Sequence, residues 1–440
     1  MRNARLRKVH EDLRQYVRGY KARRARSKSK ATFIGITGSS GKSTATALLG
    51  HILAGHGSVH IQLLFHSLKM LSRMLSRRIG GVNYVVVEVS VSAINSIKPM
   101  AEMLRPHVAV VTMVRLEHVS SFRTLENVAH EKGALVEALE PGGLALLNAD
   151  DPNVLAMASG KAQRFVTFGE SESADYRVTE VSAGYPRMLS FKLHWRGGEL
   201  DLKTPFPGEH FWLPTVAAAA AALELGVPSQ TVKDRIETFE PVENRCQVII
   251  PEGGPHFIVD SVKAPWHSLP LALDMMAKST LSEKRIVLGQ LSDFTDSNAK
   301  YARAYKSARE IANQVIYVGE HAHRSKASQA DRDTGRFVEL RTPKEVSDYI
   351  RRTAVPGELI LLKSSSNLHL ERVPLAWTHD VQCWVPVCGK TEGCQQCGLY
   401  EVPFEQHREF VRQRKSARRV QRFRGRFGWL LGGLSLRRRS

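Results

Sequence analysis

The 440-residue sequence has no apolar run long enough to cross a bilayer. Its most apolar stretch near the C-terminus, Gly428 to Leu436, falls far short of the roughly 20 residues a spanning helix needs. The first residues are basic but lack an apolar h-region and a small-residue cleavage site, so a cytoplasmic protein is expected. Cysteine is scarce, with five in all, and no segment repeats at a solenoid period. Acidic residues are outnumbered, 43 against 63 Lys and Arg, for a formal charge of +20. That excess is local. Residues 1–30 carry about twelve basic residues against Glu11 and Asp12, and residues 403–440 about twelve against Glu405 and Glu409. Residues 31–402 are therefore close to neutral, so the body need not be a polyanion-binding surface. The tails could attract nucleic acid, anionic lipid or an acidic partner, or simply be solvated arms. From Phe404 to Leu436 Arg alternates with Phe and Trp, a pattern suited to a peripheral helix.

What the sequence does contain is a repeated alternation of strand and helix. ATFIGITG reads as a buried strand entering a glycine turn, and STATALLGHILAG has helical apolar spacing. The runs Tyr84 to Ser90 and His107 to Val114 are Val-rich, as in parallel sheets covered on both faces. Leu125 to Leu139 and the Ala-rich Thr215 to Gly226 are helical. Further Val/Ile/Leu strands follow in HFIVDSV, RIVLGQL, QVIYVGE and ELILLKSSS. The expected fold class is α/β: a phosphate-loop domain with a mostly parallel sheet, then a smaller Rossmann-like α/β domain and a short cysteine appendage. The expected divisions are a basic arm (1–30), a central ATP-binding domain (31–242), a C-terminal domain (243–378), a cysteine module (379–402) and a basic tail (403–440).

GITGSSGKST, Gly35 to Thr44, contains Gly38, Gly41, Lys42 and Ser43 in the arrangement GxxGK[ST]. Glycines let backbone N–H groups approach phosphate oxygens. Lys42 can neutralise β/γ charge, and the Ser43 hydroxyl can ligate Mg²⁺ at a helix N-terminus. A strict Walker A loop has Gly where Ile36 stands, so a plain glycine turn is the competing reading of the loop alone.

The loop resembles the TGxxGK[ST]T nucleotide loop of the Mur ligases, and later landmarks of that family follow in order over about residues 31–375. Within the family the sequence looks most like the branch that adds D-alanyl-D-alanine to UDP-N-acetylmuramoyl-tripeptide. The resemblance implies ATP contacts along Gly38, Ser39, Ser40, Gly41, Lys42, Ser43 and Thr44. It implies Mg²⁺ ligands at Ser43 and Glu88, with His118 supporting a second ion. It makes Lys132 the lysine that CO₂ carbamylates, turning a cation into an anionic oxygen ligand; a helix-surface lysine is the plain alternative. Asn148 and Asp151 in NADDP, Arg245 at the domain joint and Asp260 match nucleotide contacts, and Lys363 matches a substrate-side lysine. Lys42, Lys132 and His118 would be the catalytic set.

The chain also departs from the family. Met113 and Arg115 stand where Asn and Gly are expected, His210, Phe211 and Pro214 occupy its HNxxN segment, and Lys263 to Trp266 replace its NANP loop. Only about 30 residues precede the phosphate-loop strand, where the peptidoglycan ligases begin with a UDP-binding domain. These departures point to altered specificity with phosphoryl chemistry retained.

Four cysteines, Cys383, Cys388, Cys394 and Cys397, have Cx4Cx5Cx2C spacing. Four thiolates satisfy tetrahedral Zn²⁺, and CQQCG looks like a zinc-knuckle turn. An iron–sulfur cluster or a redox pair are the alternatives. The module could dock a partner such as an amidotransferase, or staple the tail. The combined expectation is an ADP-forming ligase joining a small-molecule or peptide carboxylate to an amine through an acyl phosphate, on a substrate other than the usual UDP-muramoyl peptide. A non-catalytic ATP-binding scaffold or a partner-dependent amidating subunit is the alternative.

Overall fold

A computed structural model of the chain describes residues 2–64, 67–77, 79–90, 93–117, 119–159, 164–292, 299–390 and 392–416. Two sheets dominate it. The first contains β1 (Thr32–Thr37), β2 (Val59–Gln62), β3 (Tyr84–Glu88), β4 (Val108–Val111), β5 (Leu144–Asn148), β6 (Arg164–Gly169), β7 (Tyr176–Gly184), β8 (Arg187–Trp195) and β9 (Gly198–Lys203). Their spatial order is β2-β3-β1-β4-β5-β6-β7-β8-β9. Pairing is parallel from β2 to β7 and antiparallel through β8 and β9. The second sheet contains β10 (Arg245–Ile249), β11 (His256–Asp260), β12 (Lys284–Leu288), β13 (Gln314–Val318), β14 (Phe337–Leu340) and β15 (Leu359–Lys363). Its order is β10-β11-β15-β12-β13-β14, parallel except where β10 meets β11.

The period-2 alternation of side chains sorts each strand's residues onto opposite faces. Ile34, Ile36, Val86, Val110 and Leu146 pack with the helices Lys42–Leu53 and Trp212–Glu224. Phe33, Val85, Val87, Ala109 and Leu147 face the helices Ile97–Leu104 and Leu125–Glu137. Both faces are covered, which is why these strands read as unbroken apolar runs. Ala217 to Ala222 are all buried, and their small side chains let the helix Trp212–Glu224 approach the phosphate-loop helix closely. The first apolar core continues into the second sheet through Ile258, Ile286, Leu288 and Leu361. The other face of that sheet packs Phe257, Val287, Ile316 and Leu362 against the helix Pro343–Thr353.

Two features differ from the sequence expectation. Residues 2–28 form a helix, and its last turns are not a solvated arm. Ala22 and Arg26 are buried. The Arg26 guanidinium lies 4.1 Å from the Phe33 ring centroid, donates to Leu104 O at 2.6 Å and pairs with Glu140 at 3.1 Å. The second feature is the antiparallel ribbon β7-β8-β9, where no strands were expected. In β8 Leu189, Phe191 and Leu193 are buried in alternation with more exposed neighbours, so one face is apolar. In the basic tail, residues 407–416 are helical; residues 417–440, which hold most of the Arg/aromatic pattern, lie outside the described residues.

Candidate active site

The carboxyl ends of β1, β3, β4, β11 and β15 converge on one cleft, the position where open α/β sheets bind ligands. Its cavity is about 250 Å³. The turn after β1 carries the phosphate loop. Gly38 has φ 144, and a Cβ there would come within 1.9 Å of Thr112 Oγ1. Gly41 has φ 79 and precedes the helix Lys42–Leu53, with Pro214 close against it. Both glycines are therefore required by geometry. Thr112 Oγ1 donates to Ser40 O at 2.6 Å, and Ser39 Oγ donates to Arg115 O and accepts from Arg115 N, each at 2.9 Å. The loop is thus fastened to the segment after β4 before any ligand arrives.

Ser39, Ser40, Gly41, Lys42, Ser43 and Thr44 line the cleft, as do Glu88, Arg245, Asp260 and Lys363. Lys42 is buried and donates to Gly38 O. Ser43 Oγ donates to Glu88 Oε2 at 2.9 Å, and Ser90 Oγ and Leu64 N also donate to the Glu88 carboxylate. A hydroxyl and a carboxylate side by side at the foot of a phosphate loop are hard oxygen donors, the set Mg²⁺ favours.

Lys132 is not on the surface of its helix: it is fully buried, and its ammonium pairs with Glu117 at 2.5 Å. Burial, reinforced by Lys42 and Lys263, lowers the Lys132 pKa to about 8 although Glu117 pulls it up. Burial alone would raise the Glu117 carboxyl, but Lys42 and Lys132 outweigh it and hold it at about 2. Glu117 escaped the sequence reading because it sits in an irregular segment. Its only signal was its place one residue before His118, which itself lies outside the described residues.

The structure does not bring Asn148 and Asp151 to the cleft lining. Asn148 Nδ2 donates to Thr112 O at 2.8 Å. Asp151 accepts from Val114 N and Arg115 Nη1 and caps the next helix through Asn153 N. Both brace the segment that braces the phosphate loop. Arg115, where the resemblance leads one to expect glycine, is part of that bracing.

Opposite the loop, Asp260 and Lys363 form an ion pair at 2.5 Å, and Lys363 also donates to Lys263 O. Lys263 is a second residue whose role the sequence hid. Burial lowers its pKa, and Lys42 and Arg245 lower it further. Three cations, Lys42, Lys263 and Arg245, thus crowd one place; Glu117 and Glu88 attract Lys263 without reversing the shift, and among the described residues no ion pair joins an acid to any of the three. His210 is held neutral, its pKa lowered to about 4 by burial. Beside it the lining is apolar, with Met113, Phe211, Trp212 and Leu213.

The cysteine residues are all free thiols. Cys383, Cys388, Cys394 and Cys397 line one small cavity with His369. At its edge, the ligand atoms of His369, Glu371 and Cys394 lie within 4.8 Å of one another.

Residues 36–222 match the Mur ligase middle domain. The chain is 28% identical over 382 residues to the UDP-N-acetylmuramoyl-tripeptide--D-alanyl-D-alanine ligase of Mycobacterium tuberculosis, covering 80% of this chain and 74% of that one. It is 29% identical over 334 residues to the UDP-N-acetylmuramoylalanine--D-glutamate ligase of Solibacter usitatus, covering 76% and 70%. Among solved structures, a crystal structure of MurF from Acinetobacter baumannii superposes with TM-score 0.74 at 22% identity, covering 82% of this chain and 80% of that one. MurF ligase from Thermotoga maritima in complex with ADP superposes with TM-score 0.70 at 18% identity, covering 82% and 83%. The fold is shared with both.

Proposed function

We propose that this chain, which belongs to the Mur ligase family, is an ATP-dependent, ADP-forming ligase that joins a carboxylate to an amine. The observation that carries the reading is the convergence of Lys42, Lys263 and Arg245 on the phosphate loop, where Glu117 and Glu88 offset only part of their charge and no ion pair among the described residues reaches them. Such crowding is unfavourable until a polyanion enters, so the site is preorganised for the phosphates of ATP. Residues 31–242 would then form the ATP-binding domain and residues 243–378 the domain that closes on it.

In this reading Ser43 and Glu88 would hold Mg²⁺, which would supply neutralisation of phosphate charge. The loop N–H groups and Lys42 align the β- and γ-phosphates. A substrate carboxylate oxygen attacks the γ-phosphorus, the bond to the β,γ-bridging oxygen breaks, and ADP leaves. The amine then attacks the acyl phosphate carbon, loses a proton and expels inorganic phosphate, leaving the amide. Positioning and charge neutralisation account for most of the catalysis, because phosphoryl transfer needs little covalent help. Arg245, Asp260 and Lys363 face the loop from the second sheet. Their charged groups suit the nucleotide and acceptor side of the cleft.

Lys132 has the chemistry carbamylation requires. CO₂ adds only to a neutral amine, and a pKa of about 8 leaves a reactive fraction near neutral pH. The product N-carboxylate, formed with loss of the amine proton, would lie beside Glu117, and two buried anions together call for a shared cation. The apolar lining around Met113, Phe211 and Trp212 supports a substrate other than the usual UDP-muramoyl peptide, since polar contacts made by asparagine in the family are replaced.

The test is ADP and phosphate release by the full chain with Mg-ATP and bicarbonate, across pools of amino acids, dipeptides and extract metabolites. Substrate-stimulated release that Lys132→Ala abolishes is expected. ATP binding with no stimulated release from any pool would make the chain a nucleotide-binding scaffold instead.

A further inference from the structure

We propose that the cysteine module binds one zinc ion through three of its thiolates and the Nε2 atom of His369, a residue contributed by the loop that follows β15. The metal would tie the module to the catalytic cleft.

Consider first what holds residues 379–402 in place. Among the described residues they contain one short helix, Cys394–Cys397. Their apolar cluster is Val381 and Cys394 with Trp384 and Tyr400, resting on Leu375 and Ala376. So small a core does not fix a segment this long, and natural chains in that position use disulfides or a metal. All the thiols are free. The cavity between them has room for a single ion or water, about 20 Å³.

His369 is prepared as a ligand. It is buried and adopts φ 51, a left-handed conformation that few side chains take without compensation. Its Nδ1 donates to Glu371 Oε1 at 2.9 Å, because a carboxylate can only accept. In the neutral imidazole this leaves Nε2 with a free lone pair, and Nε2 points at Cys388 Sγ from 3.1 Å. A carboxylate on one ring nitrogen and soft ligands around the other is the arrangement of zinc-bound histidine.

Cations face the thiols of the cavity. The Arg372 guanidinium is buried and donates to backbone carbonyls: those of Cys383 at 2.7 Å, Val385 at 3.0 Å, and Leu368 and His369. Lys390 Nζ lies 2.8 Å from Cys397 Sγ and 3.6 Å from Glu392. Three thiolates and a neutral imidazole on Zn²⁺ carry a net charge of minus one, which cations this close favour.

Glu371 links this centre to the cleft. Its Oε1 accepts from Cys394 N at 3.2 Å as well as from His369, and its Oε2 accepts from Ser261 Oγ at 3.2 Å. Ser261 follows Asp260, the partner of Lys363. A continuous path of buried hydrogen bonds therefore runs from the cysteines to the wall of the cleft.

The experiment uses the full chain. Metal analysis of the purified protein is expected to find zinc at one per chain, and X-ray absorption at the zinc edge a shell of three sulfurs and one nitrogen. His369→Gln should weaken zinc binding by at least about tenfold, and Glu371→Gln by about 10- to 100-fold. Stripping the metal should speed hydrogen exchange in the peptide spanning 256–264. Protein without zinc, or with iron and acid-labile sulfide, would overturn the site. Stoichiometric zinc in an all-sulfur shell would overturn the place of His369, and this measurement on the unmutated protein stands even if a variant fails to fold.

Discussion

Both walls of the cleft are made of strand ends, yet on the wall after β1 Lys42 donates to Gly38 O and makes no ion pair among the described residues, while the wall after β11 and β15 presents Asp260 and Lys363 already paired. The first wall is electrostatically incomplete in the free protein. The second is complete. An incomplete wall stores repulsion that a polyanion relieves, so its residues should govern ligand use far more than folding. In a completed buried pair each charge is needed to offset the desolvation of the other, so breaking it should be felt first in stability.

The largest effect should follow Lys42→Ala. Loss of this ammonium is expected to cut substrate-stimulated ADP release by on the order of 10³-fold, with the melting temperature little changed. Kinetics together with calorimetry would check both halves. A large drop in stability would mean that Lys42 is structural, and the contrast between the walls would fail.

The next effect tests the other wall. Asp260→Asn leaves Lys363 buried without a counter-charge, and a loss of about 3 kcal/mol is expected in denaturant unfolding. The double variant Asp260→Asn, Lys363→Met should recover much of it, because the uncompensated charge is gone. If the single variant costs under about 0.5 kcal/mol, solvent reaches this pair and the wall is not closed.

Between the two stands Lys132–Glu117, paired like the second wall but at the foot of the first. The Lys132 pKa is lowered from 10.5 to about 8, so its folded state binds fewer protons than the unfolded chain between those values. The cost of its burial is present in full below about pH 8 and is relieved as pH rises toward 10.5. Glu117, lowered from 4.5 to about 2, contributes stability above its unfolded value that is lost as pH falls through 4.5 toward 2. The chemical counterpart is CO₂ capture. At fixed dissolved ¹³CO₂, the initial rate at which the carbamate signal of Lys132 grows should fall roughly tenfold per pH unit below 8, and the signal should vanish in Lys132→Ala. A rate that ignores pH, or a signal that survives the substitution, would remove Lys132 from that role.

How legible these features were depends on whether chemistry was written locally. The strands β1, β3, β4 and β5 and the loop Gly38 to Ser43 could be read because apolar runs and glycine spacing are local patterns. The pairing of Ser43 with Glu88 followed from order along the chain, through the family resemblance. Glu117, Lys263 and His369 could not be read this way. Each owes its role to burial and to partners brought near by the fold: Lys132 in a helix, Lys42 at the start of another helix, Arg245 on β10, and Cys388 in the appended module. The β7-β8-β9 ribbon was legible in principle, since one face of β8 is apolar by simple alternation. Asn148 and Asp151 show the converse: position in a motif suggests a ligand contact, and in the structure both side chains hydrogen-bond to neighbouring loop segments.

That bracing supplies the smallest and most discriminating effect. Arg115 is about half exposed, and its partner Asp151 is buried and already accepts from Val114 N and Asn153 N. Ser39 is held by the Arg115 backbone, which any residue supplies. Arg115→Gly should therefore cost under about 1 kcal/mol, as exposed ion pairs do. ATP affinity should move less than about threefold, a shift under 1 kcal/mol. A larger loss in binding, with stability intact, would show that the Arg115 side chain completes the phosphate wall itself, and the first wall would then carry a second cation beside Lys42.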